Sequence, residues 1–131
     1  MPEFLSEKWL HELDHAVRRS ATVSALAPIV IEQVVEGVPG RGEVRYRFHV
    51  DGDGARVTEG DAPDRPDVRL STDYDTAVAI ALGRENPQIA LARGRLRLGG
   101  DIDVLVRRSD ALGALDDATA ALRAATTYPS P

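Results

Sequence analysis

The chain has 131 residues, a net charge of −5 and no cysteine, which is the size of one domain and excludes disulfides, thiolate metal sites and cysteine nucleophiles. It contains no run of about 18 apolar residues, so a transmembrane helix is excluded. The first residues lack the basic start and apolar stretch of a signal peptide, and we therefore expect a cytoplasmic protein. The charges are spread along the chain and give no reason to expect nucleic acid as a partner.

The first half of the chain predicts a helix followed by a strand meander. Leu10, Leu13 and Val17 repeat with the spacing of one helix face. Further on, apolar residues alternate with arginine and histidine, which is typical of a half-buried strand. Glycine and proline mark the turns. The predicted elements are a helix over residues 6–20 and strands over residues 27–36, 44–50 and 55–59, with turns at residues 37–42 and 51–54.

The second half mixes strands with helices. Thr72 is expected to begin a helix as its N-cap, with Asp75 three residues on as the capping-box partner. That helix is apolar almost all round, so we expect it to be buried. Asn86 and Pro87 are typical of an N-cap followed by the first helical residue. The predicted elements are strands over residues 67–71 and 95–98, a helix over 74–82, a short helix that Gly94 ends, and a helical pattern over 101–126 interrupted near Ser109.

Part of the second half carries a family pattern. The stretches concerned are residues 66–74 (PDVRLSTDY), 77–83 (AVAIALG), 86–87 (NP), 90–96 (ALARGRL) and 99–101 (GGD). In this order they give a short strand, a Thr-Asp turn, two helices, a last strand and a glycine-aspartate turn before a closing helix. This arrangement resembles the sterol-carrier-protein-2-like family.

The resemblance implies both a fold and a function. The fold would be α+β, with a five-stranded, mostly antiparallel sheet covered by helices around an apolar cavity, in a single domain over residues 1–131. The function would be that of a non-catalytic carrier for a lipid-like ligand of the sterol, fatty acid or acyl-coenzyme A class.

Aliphatic and aromatic side chains line pockets for such ligands. The candidates in this chain are Tyr46, Phe48, Val57, Leu70, Val78, Ile80, Leu91, Leu96, Leu98, Leu105, Leu112 and Leu115. A domain of this size needs about as many core residues in any case, so the sequence does not separate the wall of a cavity from a filled core.

The closing helix has an apolar stripe that contains Ile102, Leu105, Leu112, Leu115 and Leu122. We expect the leucines of its second half to lie over the mouth of the pocket. Removing the chain beyond Ser109 would then leave a folded protein that binds its ligand weakly.

Residues 11–15 (HELDH) match the H-E-x-x-H pattern, in which two histidines one helical turn apart bind zinc. His11 and His15 fall on the side of the predicted helix opposite its apolar stripe, so we expect them to face solvent. His49 is the only other histidine, and no motif for a third ligand follows. We therefore predict no tight zinc site.

Other motifs are incomplete. Residues 51–55 (DGDGA) begin like a calcium loop, but Ala55 takes a ligand position and Ala62 stands where the bidentate glutamate belongs. Residues 94–100 lack the strand–glycine–helix spacing of a dinucleotide loop. We predict no catalytic residue, no metal and no cofactor.

Six arginines occupy strand positions opposite the apolar side: Arg45, Arg47, Arg56, Arg69, Arg95 and Arg97. One interpretation is a solvated sheet face on which Glu32, Glu36 and Glu59 offset the arginines. The other is a docking surface for an anionic head group, a membrane surface or a coenzyme A phosphate, because arginine suits bidentate recognition of such groups.

Three functions remain open, and the lipid carrier is preferred. An interaction module that forms a homodimer through the same fold, with a filled core, is the first alternative. A biosynthetic catalyst that uses the cavity is the second, since a fold does not fix a function.

Overall fold

The computed structural model describes residues 2–60, 62 and 64–128, which form an α+β fold as the sequence predicts. The elements are α1 (Glu7–Arg19), α2 (Ala21–Ser24), β1 (Ile29–Val38), β2 (Gly42–Asp51), β3 (Gly54–Glu59), β4 (Val68–Asp73), α3 (Tyr74–Ala81), α4 (Pro87–Ala92), β5 (Leu96–Gly100), α5 (Ile102–Arg107) and α6 (Ser109–Ala124). No helix of the described residues is long and apolar enough to cross a membrane.

The strands form one mixed sheet in the order β3-β2-β1-β4-β5. β1 pairs with β4 in parallel, whereas the other three pairs are antiparallel. The prediction of a five-stranded, mostly antiparallel sheet is therefore confirmed. β1 is the central strand, and its register places Gln33 beside Tyr46 of β2 on one side and Leu70 of β4 on the other.

Strand alternation gives the sheet an inner and an outer face. The inner face packs against the helices to form the apolar core. The chain crosses the outer face on its way from β3, at one edge, to β4. In this crossing the carbonyl of Asp64 accepts a hydrogen bond from Arg47 Nη2 (2.7 Å), and the amide of Asp67 donates to the carbonyl of Val30 (2.9 Å).

The six aromatic side chains of the chain form one connected cluster. Phe4 contacts Trp9, Tyr74 and Tyr128, with ring centroids 5.0–6.1 Å apart, and Trp9 contacts Tyr46, which in turn contacts Phe48. Trp9 Nε1 also donates a hydrogen bond to Thr126 Oγ1 (3.1 Å). The cluster therefore joins the two ends of the described chain to the inner face of the sheet.

The cap of α3 differs from the prediction. Asp73, not Thr72, is the N-cap, and its side chain accepts a hydrogen bond from the amide of Thr76 (2.7 Å). Thr72 remains in β4, where its hydroxyl donates to the carbonyl of Arg95 (2.7 Å). β4 pairs with β1 as far as Asp73, two residues beyond the predicted strand end, so the N-cap lies one residue later than expected, while the helix begins at residue 74 as predicted.

The burial of α3 also differs from the prediction. Ala77, Val78 and Ala81 pack against the core, yet they and Ile80 are only half-buried, and Leu82 is exposed. The helix has only eight residues, and its main contacts are with β1 and β4. An all-apolar composition indicates burial only where neighbouring elements surround the helix, so this prediction was wrong.

The closing helix is interrupted as predicted, at Arg108 between α5 and α6, but α6 is part of the main core. Its buried face is formed by Ala111, Ala114, Leu115 and Thr119, and it packs against α1 and α2. Leu112 and Leu122 are half-buried beside that face, and Ile102 is exposed. Small residues bring α6 close to α1 and α2. The expectation that this helix covers the mouth of a pocket as a separable lid was therefore wrong.

Gly100 closes the strand β5 in a backbone conformation that favours glycine, with φ +86°. A Cβ atom there would lie 2.7 Å from the carbonyl oxygen of Asp67, the same oxygen that accepts a hydrogen bond from the amide of Asp101. Asp101 then caps α5 through its side chain, which accepts from the amide of Asp103 (2.9 Å). Glycine is therefore required at position 100, because the backbone of Asp67 approaches it too closely for a Cβ atom.

We expect Gly100→Ala to lower the free energy of unfolding by about 2 kcal/mol or more, since both backbone strain and the clash with Asp67 act against it. Gly99→Ala is the matched control, because a Cβ at Gly99 would make an ordinary contact at 3.6 Å with Cβ of Arg69 and its φ is not positive. Denaturant unfolding of both variants measures the difference. Equal losses at the two glycines would contradict this account of the turn.

Candidate functional site

The two sides of the inner face are packed differently. Over β2 and β3, under α1 and α2, inner-facing side chains such as Val44, Phe48 and Val50 are buried. Towards β4 and β5 the inner-facing Leu70, Leu96 and Leu98 are only half-buried. We call these three leucines, together with Gln33 of the central strand, the open patch.

Buried residues bound the open patch along β4. Val68, at the start of this strand, is fully buried, and Thr72, near its end, is buried as well. The patch therefore lies along the middle of β4, reaching from the central strand to the edge strand β5, rather than at a frayed strand end. Val78 of α3 and Val104 of α5, both half-buried, pack against the core on the same side of the molecule. The result is a mostly apolar region between sheet and helices that the protein's own side chains leave incompletely covered.

The twelve predicted lining residues fall into several environments. Tyr46, Phe48 and Leu115 are buried in the packed core. Half-buried are Val57, Leu70, Val78, Ile80, Leu96, Leu98 and Leu112, and Leu91 is exposed. The side chain of Leu105 lies outside the described part of the structure. The structure thus brings Leu70, Leu96 and Leu98 together in the open patch, next to Val78, and places the aromatic pair in the packed half.

Gln33 is the polar residue of the open patch, and the sequence analysis missed it. It alternates with Ile31 and Val35 on the inner face and stays half-buried in the centre of the sheet. Its side-chain amide makes no hydrogen bond with any residue in the described ranges. The only available signal was that Gln33 is polar while Ile29, Ile31 and Val35, at the other positions of the same face, are apolar. Val30 and Val34 make positions of the opposite face apolar too, so the alternation of the strand is not visible in the sequence.

Tyr46 lies beside Gln33 in the register and is a second polar group on the inner face. Burial raises the pKa of Tyr46 above its ordinary range, so its hydroxyl stays protonated. Its ring packs edge-on against Trp9 and Phe48, with centroids 5.9 and 5.7 Å away. Gln33 therefore marks the border between the packed aromatic half and the open patch.

Two clefts open on the surface elsewhere. One, of about 460 Å³, lies between α1 and α6 and has alanines and Leu122 in its walls. The other, of about 340 Å³, is lined by Asp73, Asp75, Glu85 and Arg95 among others. None of the predicted lining residues with a described side chain borders either cleft. An enclosed apolar cavity remains a prediction.

His11 and His15 lie on the exposed side of α1, as predicted from the helix periodicity. Their rings contact each other edge-on with centroids 4.8 Å apart. Among the residues that the structure describes, no three histidine, aspartate or glutamate side chains are grouped in a way that could hold a metal ion.

The arginines of the outer face converge on a buried carboxylate. Glu32 is 1% exposed and Arg47 2% exposed, so the prediction of a solvated face is wrong at its centre. Glu32 accepts hydrogen bonds from Arg47 Nε (2.8 Å) and Arg69 Nε (2.6 Å), and Arg45 Nη1 lies 3.5 Å from it. The crossing at Asp64 and the neighbouring strands shield this cluster, which the sequence could not place because the crossing joins residues far apart in the chain.

The remaining outer-face arginines are also paired. Arg56 binds Asp51 (2.8 Å), Arg97 binds Glu36 (3.2 Å), and Arg95 binds Glu85. Glu59, expected to offset these arginines, instead binds Arg41. An anion docking on the outer face would have to compete with carboxylates that are already in place.

A model of the SCP-2 sterol transfer family matches residues 10–113, which is most of the chain and all five strands. The chain belongs to the SCP-2 sterol transfer family. The family model covers both the open patch and the glycine-aspartate turn, and it ends within α6. No curated protein matches the sequence.

Solved structures share the fold. A conserved hypothetical protein of Thermus thermophilus has 24% identity and a TM-score of 0.66, with 99% of this chain and 94% of that chain covered. The palmitated SCP2L2 from Aedes aegypti has 19% identity and a TM-score of 0.56, with 82% of this chain and 94% of that chain covered. At these identities the likeness shows the fold alone.

The same fold also occurs within a larger protein. A sec-alkyl sulfatase, PisA1, matches with 16% identity and a TM-score of 0.58, and the match covers 86% of this chain but only 16% of that one. An SCP2-like unit therefore occurs both as almost a whole protein and as a small part of an enzyme.

We expect Glu32→Gln to lower the free energy of unfolding at neutral pH by about 3 kcal/mol, because breaking a buried ion pair leaves charged partners unpaired. Burial alone would raise the pKa of Glu32, but the hydrogen bonds and charges of Arg69 and Arg47 outweigh it and hold the pKa below the usual 4.5. Stability from Glu32 is therefore fully present above pH 4.5 and is lost as the pH falls through the folded-state pKa.

Denaturant unfolding from neutral pH down to about pH 3 measures this, and Glu32→Gln should flatten the acid limb of the stability curve. Glu36→Gln is the matched control on the same strand and face, because Glu36 and Arg97 have side chains that are 54% and 61% exposed. Such exposed pairs contribute about 0–1 kcal/mol. If Glu36→Gln lowers the free energy of unfolding as much as Glu32→Gln does, burial is not what makes the Glu32 cluster important.

Proposed function

We propose that the protein is a non-catalytic carrier that holds a lipid-like molecule against the open patch, between the sheet and α3. One observation carries this proposal: Leu70, Leu96 and Leu98 face the helix side of the sheet and still remain half-buried. The family, described as a sterol transfer family, and the palmitated relative from Aedes aegypti support a ligand of the sterol, fatty acid or acyl-coenzyme A class.

The energetics favour an apolar ligand. Covering apolar surface is worth about 25 cal/mol per Å², and fully burying a leucine or valine contributes about 1.5–3 kcal/mol. The leucines of the open patch gain only part of this from the protein's own packing. An acyl chain or a sterol ring system laid along them supplies the missing contacts. The polar neighbours of these leucines in the described structure are Gln33 and Thr72, and the hydroxyl of Thr72 already donates to the carbonyl of Arg95.

The test is to fill the open patch with a larger side chain. Leu98→Trp is expected to keep the melting temperature within a few degrees of the wild type while weakening binding of a fluorescent fatty acid about tenfold or more, because the indole occupies the ligand's space. Val44→Trp is the matched control on the packed half of the same face, where overpacking costs about 1–3 kcal/mol.

Both quantities are measured on the same samples, by thermal unfolding and by fluorescence titration. If Leu98→Trp destabilises the protein as much as Val44→Trp, the interior near β5 is a filled core. If the wild type binds no fatty acid and no sterol, and none copurifies with it in native mass spectrometry, the carrier proposal fails.

Gln33 would contact the polar end of the ligand. Its amide both donates and accepts hydrogen bonds, so it suits a carboxyl or hydroxyl group. We expect Gln33→Leu to weaken the binding of dodecanoic acid by about three- to tenfold, which corresponds to one hydrogen bond. The affinity for dodecane should not change. Both affinities are measured by displacement of the fluorescent probe.

Stability provides the control for this variant. Since Gln33 has no hydrogen-bond partner among the described residues, replacing it with leucine should leave the free energy of unfolding unchanged or raise it. Equal effects on the acid and the alkane would show that Gln33 shapes the pocket without reading the polar group.

The interaction module is the competing proposal. A stable homodimer without ligand, seen in the same native mass spectra, would favour it over the carrier.

A further inference from the structure

The two edges of the sheet differ in what covers them. At the β3 edge, the side chain of Asp14 accepts a hydrogen bond from the amide of Val57 (2.8 Å), and α1 packs along the strand. At the other edge, β5 pairs only with β4. Apart from that pairing, no backbone group of residues 96–100 makes a hydrogen bond within the described ranges. An edge strand with unpaired amides and carbonyls can pair with a further strand.

The charges around β5 change sign along the chain. Residues 93–103 read RGRLRLGGDID, with three arginines before the middle residue, Leu98, and two aspartates after it. When two copies of this stretch run antiparallel about Leu98, the basic half of each lies beside the acidic half of the other. Opposite charges on facing strands attract, whereas like charges repel. The partner that complements both halves at once is therefore a second copy of the chain.

The register centred on Leu98 is also sterically favourable. Directly opposite residues of an antiparallel pair point to the same face of the sheet, so Leu98 meets the partner's Leu98 on the inner face. On the outer face Arg97 lies opposite the partner's Gly99, which has no side chain. The two copies of Arg97 are therefore not directly opposite each other, and their charges do not oppose the pairing at close range.

The outermost facing pair in this register is Arg93 with the partner's Asp103. Both side chains are exposed, and neither makes an ion pair within the described residues. The strand therefore has a free cation at one end and a free carboxylate at the other, and the twofold brings each beside its opposite.

The next facing pair is Arg95 with the partner's Asp101. Arg95 already binds Glu85, but a guanidinium has five N–H donors and can hold two carboxylates. Asp101 uses one carboxylate oxygen to accept from the amide of Asp103 (2.9 Å). Its other oxygen has no partner in the described part of the chain and can accept from Arg95.

We propose that two copies of the chain pair antiparallel through β5, about a twofold axis at Leu98, and join their sheets into one. The axis is perpendicular to the sheet, so the inner faces of both copies lie on the same side. The open patch of each copy then continues into the Leu98 of the other. The pairing goes beyond the proposed carrier function and does not depend on it, whereas this last consequence for the ligand rests on the proposed function.

The dimer is expected to be weak. Two five-residue strands with flanking ion pairs make an interface smaller than the roughly 1,600 Å² of a standard one. Much of the attraction is between exposed charges, which salt screens. The dimer fraction in sedimentation should therefore rise with protein concentration through the micromolar range and fall when salt is added.

Charge reversal at the outermost pair tests the symmetry. Arg93→Asp places an aspartate opposite the partner's Asp103, and Asp103→Arg places an arginine opposite the partner's Arg93. Each variant alone should dimerise about tenfold more weakly than the wild type, because two attractive pairs become repulsive. A 1:1 mixture of the two variants should recover dimerisation, since every facing pair in the mixed dimer is again opposite in charge. The double variant R93D/D103R should recover it as well.

Arg19→Asp is the matched control for these reversals. Arg19 is exposed, makes no ion pair within the described residues and belongs to α1, which packs over the opposite edge strand β3. Its reversal should leave dimerisation nearly unchanged. An equal loss in Arg19→Asp and Arg93→Asp would mean that net charge alone governs association and would overturn the proposal. A wild type that stays monomeric at millimolar concentration, or a mixture no better than the single variants, would also overturn it.

Cross-linking tests the register. The chain has no cysteine, so one introduced thiol can form a disulfide only with that of another copy. Directly opposite Cα atoms of an antiparallel pair are about 4.5–5.5 Å apart, a distance that a disulfide spans. Leu98→Cys should therefore give disulfide-linked dimers on oxidation. Arg97→Cys is the control, because its two copies are diagonal neighbours about 7–8 Å apart. Faster cross-linking at position 97 than at position 98 would refute the register.

Fatty-acid binding at nanomolar protein concentration, below the range of dimer formation, separates the two proposals. The charge-reversal variants should bind the fluorescent fatty acid as the wild type does under these conditions. A wild type that dimerises but takes up no fatty acid would refute the carrier and leave the β5 pairing standing. Fatty-acid uptake by a protein that never dimerises would refute the pairing alone.

Discussion

The fold depends on the way the central strand β1 is held between β2 and β4. Those two neighbours approach β1 in opposite senses, since β2 returns through a short turn whereas β4 arrives after the chain has crossed the outer face. Glu32 joins all three strands, because its carboxylate on β1 binds Arg47 of β2 and Arg69 of β4. A buried charge of this kind is costly unless it is fully paired. The crossing at Asp64 completes the pairing of Arg47 and shields the cluster from water.

The helices pack only on the inner face of the sheet, and they cover its two halves to different extents. The aromatic cluster around Trp9 fills the space over β2 and β3 and ties in both ends of the described chain. Over β4 and β5 the covering helices α3, α4 and α5 have at most eight residues each. Short helices cover less surface than long ones, and the leucines beneath them stay half-buried. One sheet thus has a closely packed half and a half that the protein's own helices leave incompletely covered.

The same uneven packing links the candidate ligand site to the surface. The helices that leave the open patch incompletely covered also carry the exposed apolar side chains, because an element with too few neighbours cannot bury both of its sides. The closely packed half and the incompletely covered half thus lie towards opposite edges of one sheet.

The sequence by itself determined the local elements: the alternation from Val44 to Val50, the Asn86-Pro87 helix start, the break near Ser109 and the glycine-aspartate turn were all readable, because each is set by residues that are neighbours in the chain. The five strands were likewise predicted from local patterns, and the family resemblance supplied their arrangement in one mostly antiparallel sheet. Only the tertiary structure decided which apolar residues are sealed, since burial depends on how many other elements surround a side chain. That is why α3 is half-exposed and α6 is core, contrary to their composition. It also decided the environments of Glu32 and Gln33, two adjacent polar residues of one strand. Glu32 is buried among arginines from β2 and β4, whereas Gln33 belongs to the open patch.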